Sequence, residues 1–256
     1  MLFNKTGQLI IMVSLFMLQY FAEHIFPETK KNNTPKNEWK NLQWGLLGWG
    51  LNILPAIGLA KWLQYINFQK LGFLGYIHLN SITGLIVFFL LIDLWMYWWH
   101  RMNHTIKLFW QFHRLHHTEE HMNTTTVLRF HFAELFISNC FKALIFLMLG
   151  PMVFMVMLYE IVFLTNVLFH HSNIKMSLAA DNVYSKFFSS PLMHRLHHSK
   201  KMIDRNTNYG SVFSCWDKLF GSYKKNEQTQ IAFGLEDDIR NAKAGVMPAG
   251  TAIKNG

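Results

Sequence analysis

Residues 132–169 read FAELFISNCFKALIFLMLGPMVFMVMLYEIVFLTNVLF, an apolar run interrupted near its middle by Gly150-Pro151. A hydrocarbon core about 30 Å thick is crossed by roughly 17–25 helical residues, so this run is about twice the length of one crossing. Gly accepts left-handed backbone and Pro has no N–H with which to continue a helix, which makes the pair a strong turn signal. The pattern predicts two spans of about 18 residues each, joined by a tight hairpin. A chain that leaves after His131 and returns before His170 comes back to the side it left. The polar, histidine-bearing segments on either side of the hairpin therefore share one face.

Further apolar stretches cover residues 7–26, a weaker segment near 42–60, and 80–99. The first has no small-residue cleavage site after it and runs into Glu23, His24 and Pro27, so it reads as a retained anchor and not a cleaved signal. Half of the 256 residues are hydrophobic, including 23 Phe, 14 Met and 9 Trp, which is rich for a soluble chain. The fold class expected is all-α: a polytopic helical membrane protein with four to five transmembrane helices and a cytosolic, helical, histidine-rich cap. Residues 1–79 form the N-terminal anchor helices, 80–223 the catalytic domain, and 224–256, which lose apolar periodicity, a poorly ordered tail.

The net charge of +9 is spread between apolar spans and over the C-terminal third, which argues against a nucleic-acid recognition surface. The positive-inside rule puts the histidine face in the cytoplasm, with Lys30, Lys31, Lys36 and Lys40 in one inside loop and Arg101, Lys107, Arg114 and Arg129 in another. Lys5, Lys61 and Lys70 then fall outside. Trp95, Tyr97, Trp98 and Trp99 occupy the position of an interfacial aromatic belt.

Only two cysteines occur, Cys140 and Cys215, so neither a disulfide framework nor a cysteine zinc site has support. Fourteen histidines do occur, mostly in groups. His100 and His104 are four apart and lie on one helical face. His113-Arg114-Leu115-His116-His117 and His194-Arg195-Leu196-His197-His198 repeat one pattern, HxxHH. Adjacent residues of a helix diverge by about 100°, so each HxxHH can offer ligands to two different ions. Eight grouped histidines exceed the four ligands of one zinc site. No Glu is followed three residues later by His, so the Glu-x-x-His arrangement of soluble di-iron bundles is absent. An all-histidine or nearly all-histidine dimetal site is what the pattern leaves, with the metal itself open among Fe, Zn, Cu and Ni. His24 and His78, isolated at predicted boundaries, read as interfacial side chains.

At these residues the chain resembles the fatty acid hydroxylase and sterol desaturase superfamily of membrane di-iron oxygenases. The resemblance spans residues 93–223: DLWMYWWHRMNH at 93–104; HRLHH at 113–117 with Thr118, Asn123 and RFHFAE at 129–134; FHHSN at 169–173; HRLHHS at 194–199; NYG at 208–210; and WDKLFG at 216–221. It implies iron ligands at His100, His104, His113, His116, His117, His171, His194, His197 and His198, with His131 ranked lower. Phe132 departs from the Pro that many relatives carry there. His170 and His121 have no family counterpart and are assigned to ligand support or surface. WDKLFG reads as a short packed helix with Gly221 as its C′ residue. Asp93, Asn123, Asn173 and Asp181 are candidates to orient ligand imidazoles by accepting their second N–H.

The resemblance implies two Fe ions, O2 as co-substrate and a lipid substrate held at the bilayer, since no acid–base group attacks an inert C–H bond. Hydroxylation is the first reading, desaturation at the same site the second. No GxGxxG, iron–sulfur cysteine cluster or haem motif is present, so electrons are expected from a separate reductase, ferredoxin or cytochrome docking on the basic face. Two rivals from other classes are a histidine-rich membrane metal transporter and a non-catalytic scaffold. Transporters place their ligands near the midplane, whereas these clusters follow the ends of apolar spans.

Overall fold

The computed structural model describes residues 5–76, 81–226 and 231–235. His78 lies outside the described residues, as do 227–230 and 236–256 of the expected tail. Among the described residues the protein is all-α, with helices α1 (Lys5–Ile25), α2 (Pro35–Phe68), α3 (Phe73–Tyr76), α4 (Ser81–Thr105), α5 (Lys107–His117), α6 (Phe132–Leu149), α7 (Val153–His171), α8 (Leu178–Tyr184), α9 (Pro191–His197), α10 (Met202–Arg205) and α11 (Cys215–Leu219). Five of these, α1, α2, α4, α6 and α7, are long and apolar enough to cross a membrane, and the protein is polytopic.

The hairpin forms where the sequence places it. Gly150 ends α6 in the left-handed conformation, φ 64°, its N–H donating to the carbonyl of Phe146. Gly72, also at positive φ, packs back to back against it: a Cβ on Gly150 would lie 2.0 Å from the Leu71 carbonyl oxygen, and one on Gly72 would lie 2.3 Å from the Gly150 nitrogen. The end of α2 joins the same corner through Asn67, whose Nδ2 donates to the Pro151 carbonyl at 2.7 Å.

The apolar core is built from α2, α4, α6 and α7, with Leu63, Ile66, Phe88, Ile92, Phe146, Met155, Val156 and Tyr159 packed together. α2 is longer than expected, 34 residues, or about 51 Å, and so exceeds a hydrocarbon core of about 30 Å. Its surplus first turns bond the cap, where Asn41 Nδ2 donates to Glu119 Oε2 at 2.8 Å and to Thr125 Oγ1 at 3.0 Å.

Two buried carboxylates tie the spans to the cap. Glu23 near the end of α1 accepts from the backbone N–H groups of Thr124 and Asn173. Asp93 in α4 accepts from the Tyr159 hydroxyl at 2.8 Å, the Phe213 N–H at 3.1 Å and the Trp216 indole at 2.9 Å. The aromatic group before the first histidine pair is not a belt: Tyr97 and Trp99 are buried and Trp98 alone of the four is exposed. Tyr97 is drawn inward by hydrogen bonds with Ser222 and Arg101. The start of the expected tail is held to the cap, Lys224 by Asn208 and Asp204 and the Lys200 N–H by the carbonyl of Ala232.

Candidate metal centre

The C-terminal ends of α4 and α7 meet α5 and α9 on one side of the spans, and there the structure gathers nine histidines into two adjoining clusters. His100, His104, His113, His117 and His197 form the first; His116, His171, His194 and His198 form the second. Within each cluster one ring nitrogen per residue lies within 4.8 Å of all the others. The divergence of neighbouring helical residues is what divides them. On α5, His113 and His117 face the first cluster and His116 the second. On α9, His197 faces the first, while His194 and the C-cap residue His198 face the second.

Four imidazoles have their tautomer set by an acceptor that can only receive. His100 Nδ1–H donates to the Tyr209 carbonyl at 2.8 Å, His197 Nδ1–H to Thr207 at 2.7 Å and His171 Nδ1–H to Val167 at 2.8 Å. His113 Nδ1–H donates to Glu134 Oε1 at 2.8 Å. Each then presents the Nε2 lone pair to the interior, as a metal ligand does.

The interior nitrogens lack ordinary partners. His197 Nε2 and both ring nitrogens of His104 and His198 are buried without a hydrogen bond. His171 Nε2 lies 2.9 Å from both His116 Nε2 and His194 Nε2. One ring lone pair accepts one in-plane hydrogen bond, so it cannot serve both neighbours, whereas one cation satisfies all three. Burial, reinforced by neighbouring imidazoles, holds the pKa values of His116, His117, His194, His197 and His198 well below the ordinary range, keeping them neutral and able to ligate. The all-imidazole donor set fits borderline first-row transition ions.

Aromatic side chains wall the centre from water. Tyr209 packs on His100, His104 and His197 at 5.3–5.8 Å between centroids, Trp110 covers His104 and His117, and Phe130 stacks on His116 at 4.5 Å. His100 and His104 are the least enclosed of the nine. The closing signature holds this wall in place: Asp217 accepts from the N–H groups of Tyr209 and Gly210, which fixes the loop whose carbonyl orients His100. Its helix, α11, is packed through Trp216 and Asp217 and capped by Gly221 at φ 70°, while Leu219 points outward.

His131 lies in neither cluster; it caps α6, its Nδ1 accepting from the Ala133 N–H. His170 is buried with its ring 3.9 Å from that of His194, beside the second cluster but not in it. His121 lines a polar cavity on the cap. The four polar residues expected to orient imidazoles have other partners. Asp93 and Asn173 anchor the cap, Asn123 caps the 3-10 helix Thr124–Leu128, and Asp181 accepts from the Leu192 N–H. Glu134 and three backbone carbonyls do that work instead. A carbonyl carries no residue-type signal, and Glu134 is 21 positions from His113.

A family model described as fatty acid hydroxylase matches residues 85–222, more than half of the sequence and the whole of both clusters. The chain belongs to the fatty acid hydroxylase family. Among curated relatives, the family member is 30% identical over 156 residues to alkylglycerol monooxygenase of Homo sapiens, covering 59% of this chain and 33% of that protein. It is 30% identical over 154 residues to the Danio rerio protein of the same name, covering 59% and 32%. An ornithine lipid hydroxylase of Rhizobium tropici matches at 30% over 128 residues, covering 50% and 38%. The match thus spans about a third of the length of these relatives. No solved structure matches the chain.

Proposed function

We propose that this family member is a membrane-bound, O2-dependent lipid hydroxylase whose nine clustered histidines hold two iron ions. The observation that carries the reading is the pair of adjoining all-histidine clusters whose buried inner nitrogens either have no hydrogen-bond partner or face only one another. Two iron ions, when bound, supply the redox chemistry with O2 that side chains lack. The balance is one C–H bond, one O2, two electrons and two protons giving one alcohol and one water.

The protein's own contribution is placement. Glu134 and the carbonyls of Tyr209, Thr207 and Val167 hold four imidazoles in the ligating tautomer. Tyr209, Trp110 and Phe130 exclude water from the reacting volume. The names of the relatives, a monooxygenase and a lipid hydroxylase, favour hydroxylation over desaturation. Location of the clusters at the ends of spans, away from the midplane, favours an oxygenase over a transporter.

In this reading residues 80–223 carry the chemistry and residues 1–79 brace it, the basic loops place the histidine face in the cytoplasm, and a separate reductase, ferredoxin or cytochrome delivers electrons there. Elemental analysis of detergent-purified protein, with Mössbauer spectra of iron-57 material, tests it. About two coupled irons per chain, lost in His113→Ala and His197→Ala, is the expected result by the ligand count. One zinc, or no retained metal, would sink the proposal.

A further inference from the structure

Ring contacts run from the five-histidine cluster to the protein surface through three aromatic side chains. Tyr209 touches three members of that cluster, with its ring centroid 5.3 Å from that of His104, 5.7 Å from His197 and 5.8 Å from His100. It meets Tyr97 edge to face at 6.2 Å, and Tyr97 meets Trp98 in the same manner at 5.5 Å. Tyr209 and Tyr97 are buried, whereas Trp98 is 38% exposed. Electron transfer weakens steeply with the gap between donor and acceptor, so rings in contact make a route where saturated side chains would not. Tyrosine and tryptophan are, with cysteine, the side chains that give up a single electron most readily.

Ring contact alone also describes ordinary packing, and the hydrogen bonds of Tyr97 set this chain of rings apart. A phenol that loses an electron must lose its proton too, and a buried one needs an acceptor already in place. Both oxygens of Asp217 receive backbone N–H groups, Oδ1 from Tyr209 and Oδ2 from Gly210, so the carboxylate is an acceptor. Its Oδ1 also receives the Ser222 hydroxyl at 2.7 Å, which commits that proton to Asp217. The Tyr97 hydroxyl, 2.8 Å from Ser222 Oγ, is therefore the donor of that pair. Arg101 Nη1 donates to the Tyr97 oxygen at 2.9 Å and holds the hydroxyl in this sense. Each O–H thus points one way, from Tyr97 to Ser222 to Asp217. Asp217 is fully buried, and burial pushes its carboxyl above the usual range, toward accepting a proton.

We infer that Trp98, Tyr97 and Tyr209 form a relay that carries oxidising equivalents out of the metal centre when no lipid is in place to take them, a role that rests on the iron and O2 reading above. For each equivalent one electron passes from Tyr97 through Tyr209 to the oxidised metal pair. The Tyr97 proton passes to Ser222 Oγ as the Ser222 proton passes to Asp217. An electron then reaches Tyr97 through Trp98 from a one-electron reductant of the thiolate class at the surface, and both protons return. The net change is one electron gained by the centre and one thiolate oxidised to a thiyl radical, with the protein restored. The traffic is outward in oxidising equivalents because a phenol surrenders an electron only to a strong oxidant, which the centre becomes only once O2 is consumed. The relay guards the histidines, the groups nearest to an oxidant that has no substrate.

The test uses the full chain in phosphatidylcholine nanodiscs with a ring-fluorinated tyrosine in place of Tyr97, so that fluorine splitting in the EPR spectrum marks a radical at that residue. Metal-free protein is flashed with a ruthenium polypyridyl photo-oxidant and a sacrificial acceptor, then frozen. A fluorine-split signal is expected. It should be lost in Trp98→Leu, which removes the surface end, and in Ser222→Ala, which removes the proton acceptor, and be restored by Ser222→Thr, which keeps a hydroxyl. Should Ser222→Ala fail to fold, slower appearance of the signal in deuterium oxide reads the same proton transfer. In a second arm iron-loaded protein is reduced and given O2 without lipid. The same signal should appear, and Tyr97→Phe should raise oxidation of the clustered histidines, read by mass spectrometry. No split signal after the flash, a signal indifferent to Ser222→Ala and to deuterium, or none from iron-loaded protein with O2 overturns the inference. A chain that retains no iron fails the iron reading and with it the role of the relay, whereas the flash alone decides whether the relay exists.

Discussion

On the proposed two-iron reading, Glu134→Leu should loosen one ion of the pair and spare the other. The Glu134 Oε1 atom accepts from His113 Nδ1 at 2.8 Å and from Asn103 Nδ2 at 3.1 Å, and both donors belong to buried residues. Leucine leaves two buried donors unmatched, at about 1–3 kcal/mol each. It also frees the His113 proton to move to Nε2, the nitrogen that must ligate. Partners of this kind typically govern about 10- to 100-fold in metal affinity. Glu134→Gln keeps an acceptor and loses only the charge assistance, so its effect should stay within about tenfold. The assay is dialysis of loaded protein against graded chelator, with iron counted by elemental analysis and the two sites followed by Mössbauer spectroscopy. The Leu variant should lose the ion of the five-histidine cluster at chelator concentrations about 10- to 100-fold lower, retaining that held by His116, His171, His194 and His198. Melting of the metal-free protein separates a folding defect from a ligation defect. Retention of both ions as in the parent, or joint loss of both, would refute the assignment of Glu134 as a positioning residue.

Three further outcomes are expected. Gly150→Ala places a Cβ 2.0 Å from the Leu71 carbonyl oxygen at φ 64°, and should destabilise by at least about 2 kcal/mol, read as a lower melting temperature in detergent. The metal-free protein should lose stability on acidification. His116, His117, His194, His197 and His198 have folded pKa values well below their unfolded value of about 6.5, so their stabilising share is full above that pH. It declines as pH falls through 6.5 toward the folded values, and a melting temperature unchanged between neutral pH and about pH 5 would contradict it. Reversing charge at Lys200 and Lys201 should slow donor-dependent turnover at low ionic strength by about tenfold and flatten its salt dependence, measured by substrate oxidation with an acidic donor.

Much of this architecture was legible because its signals are local and periodic. Length and apolarity mark the five spans, and Gly150-Pro151 marks the hairpin that returns the chain to one face. The division of each HxxHH between two clusters follows from helical twist alone. What escaped the sequence depends on meetings distant in the chain. Asp93 invites a role beside an imidazole, yet the fold turns it toward Trp216 and Tyr159, 123 and 66 positions away. Tyr97 and Trp99 have the composition of an interfacial belt, but Tyr97 packs on Tyr209 and Phe220 and Trp99 on Phe109 and Phe141. The full length of α2 was hidden because its cap-bonded turns are polar and its interior carries Pro55.

The sharing of α5 and α9 between both clusters makes the spacing of the two centres a property of backbone winding. Rotating either helix about its axis withdraws nitrogens from one centre while pressing others into its neighbour. The two centres are therefore geared together: thermal motion of the cap changes them in opposite senses, and a stable pair demands that both helices be held at one angular setting. Arg129, donating to the Leu115 carbonyl of α5, and Arg195 of α9, donating to the Ser172 and Ile174 carbonyls, act as the detent that keeps the gear from turning.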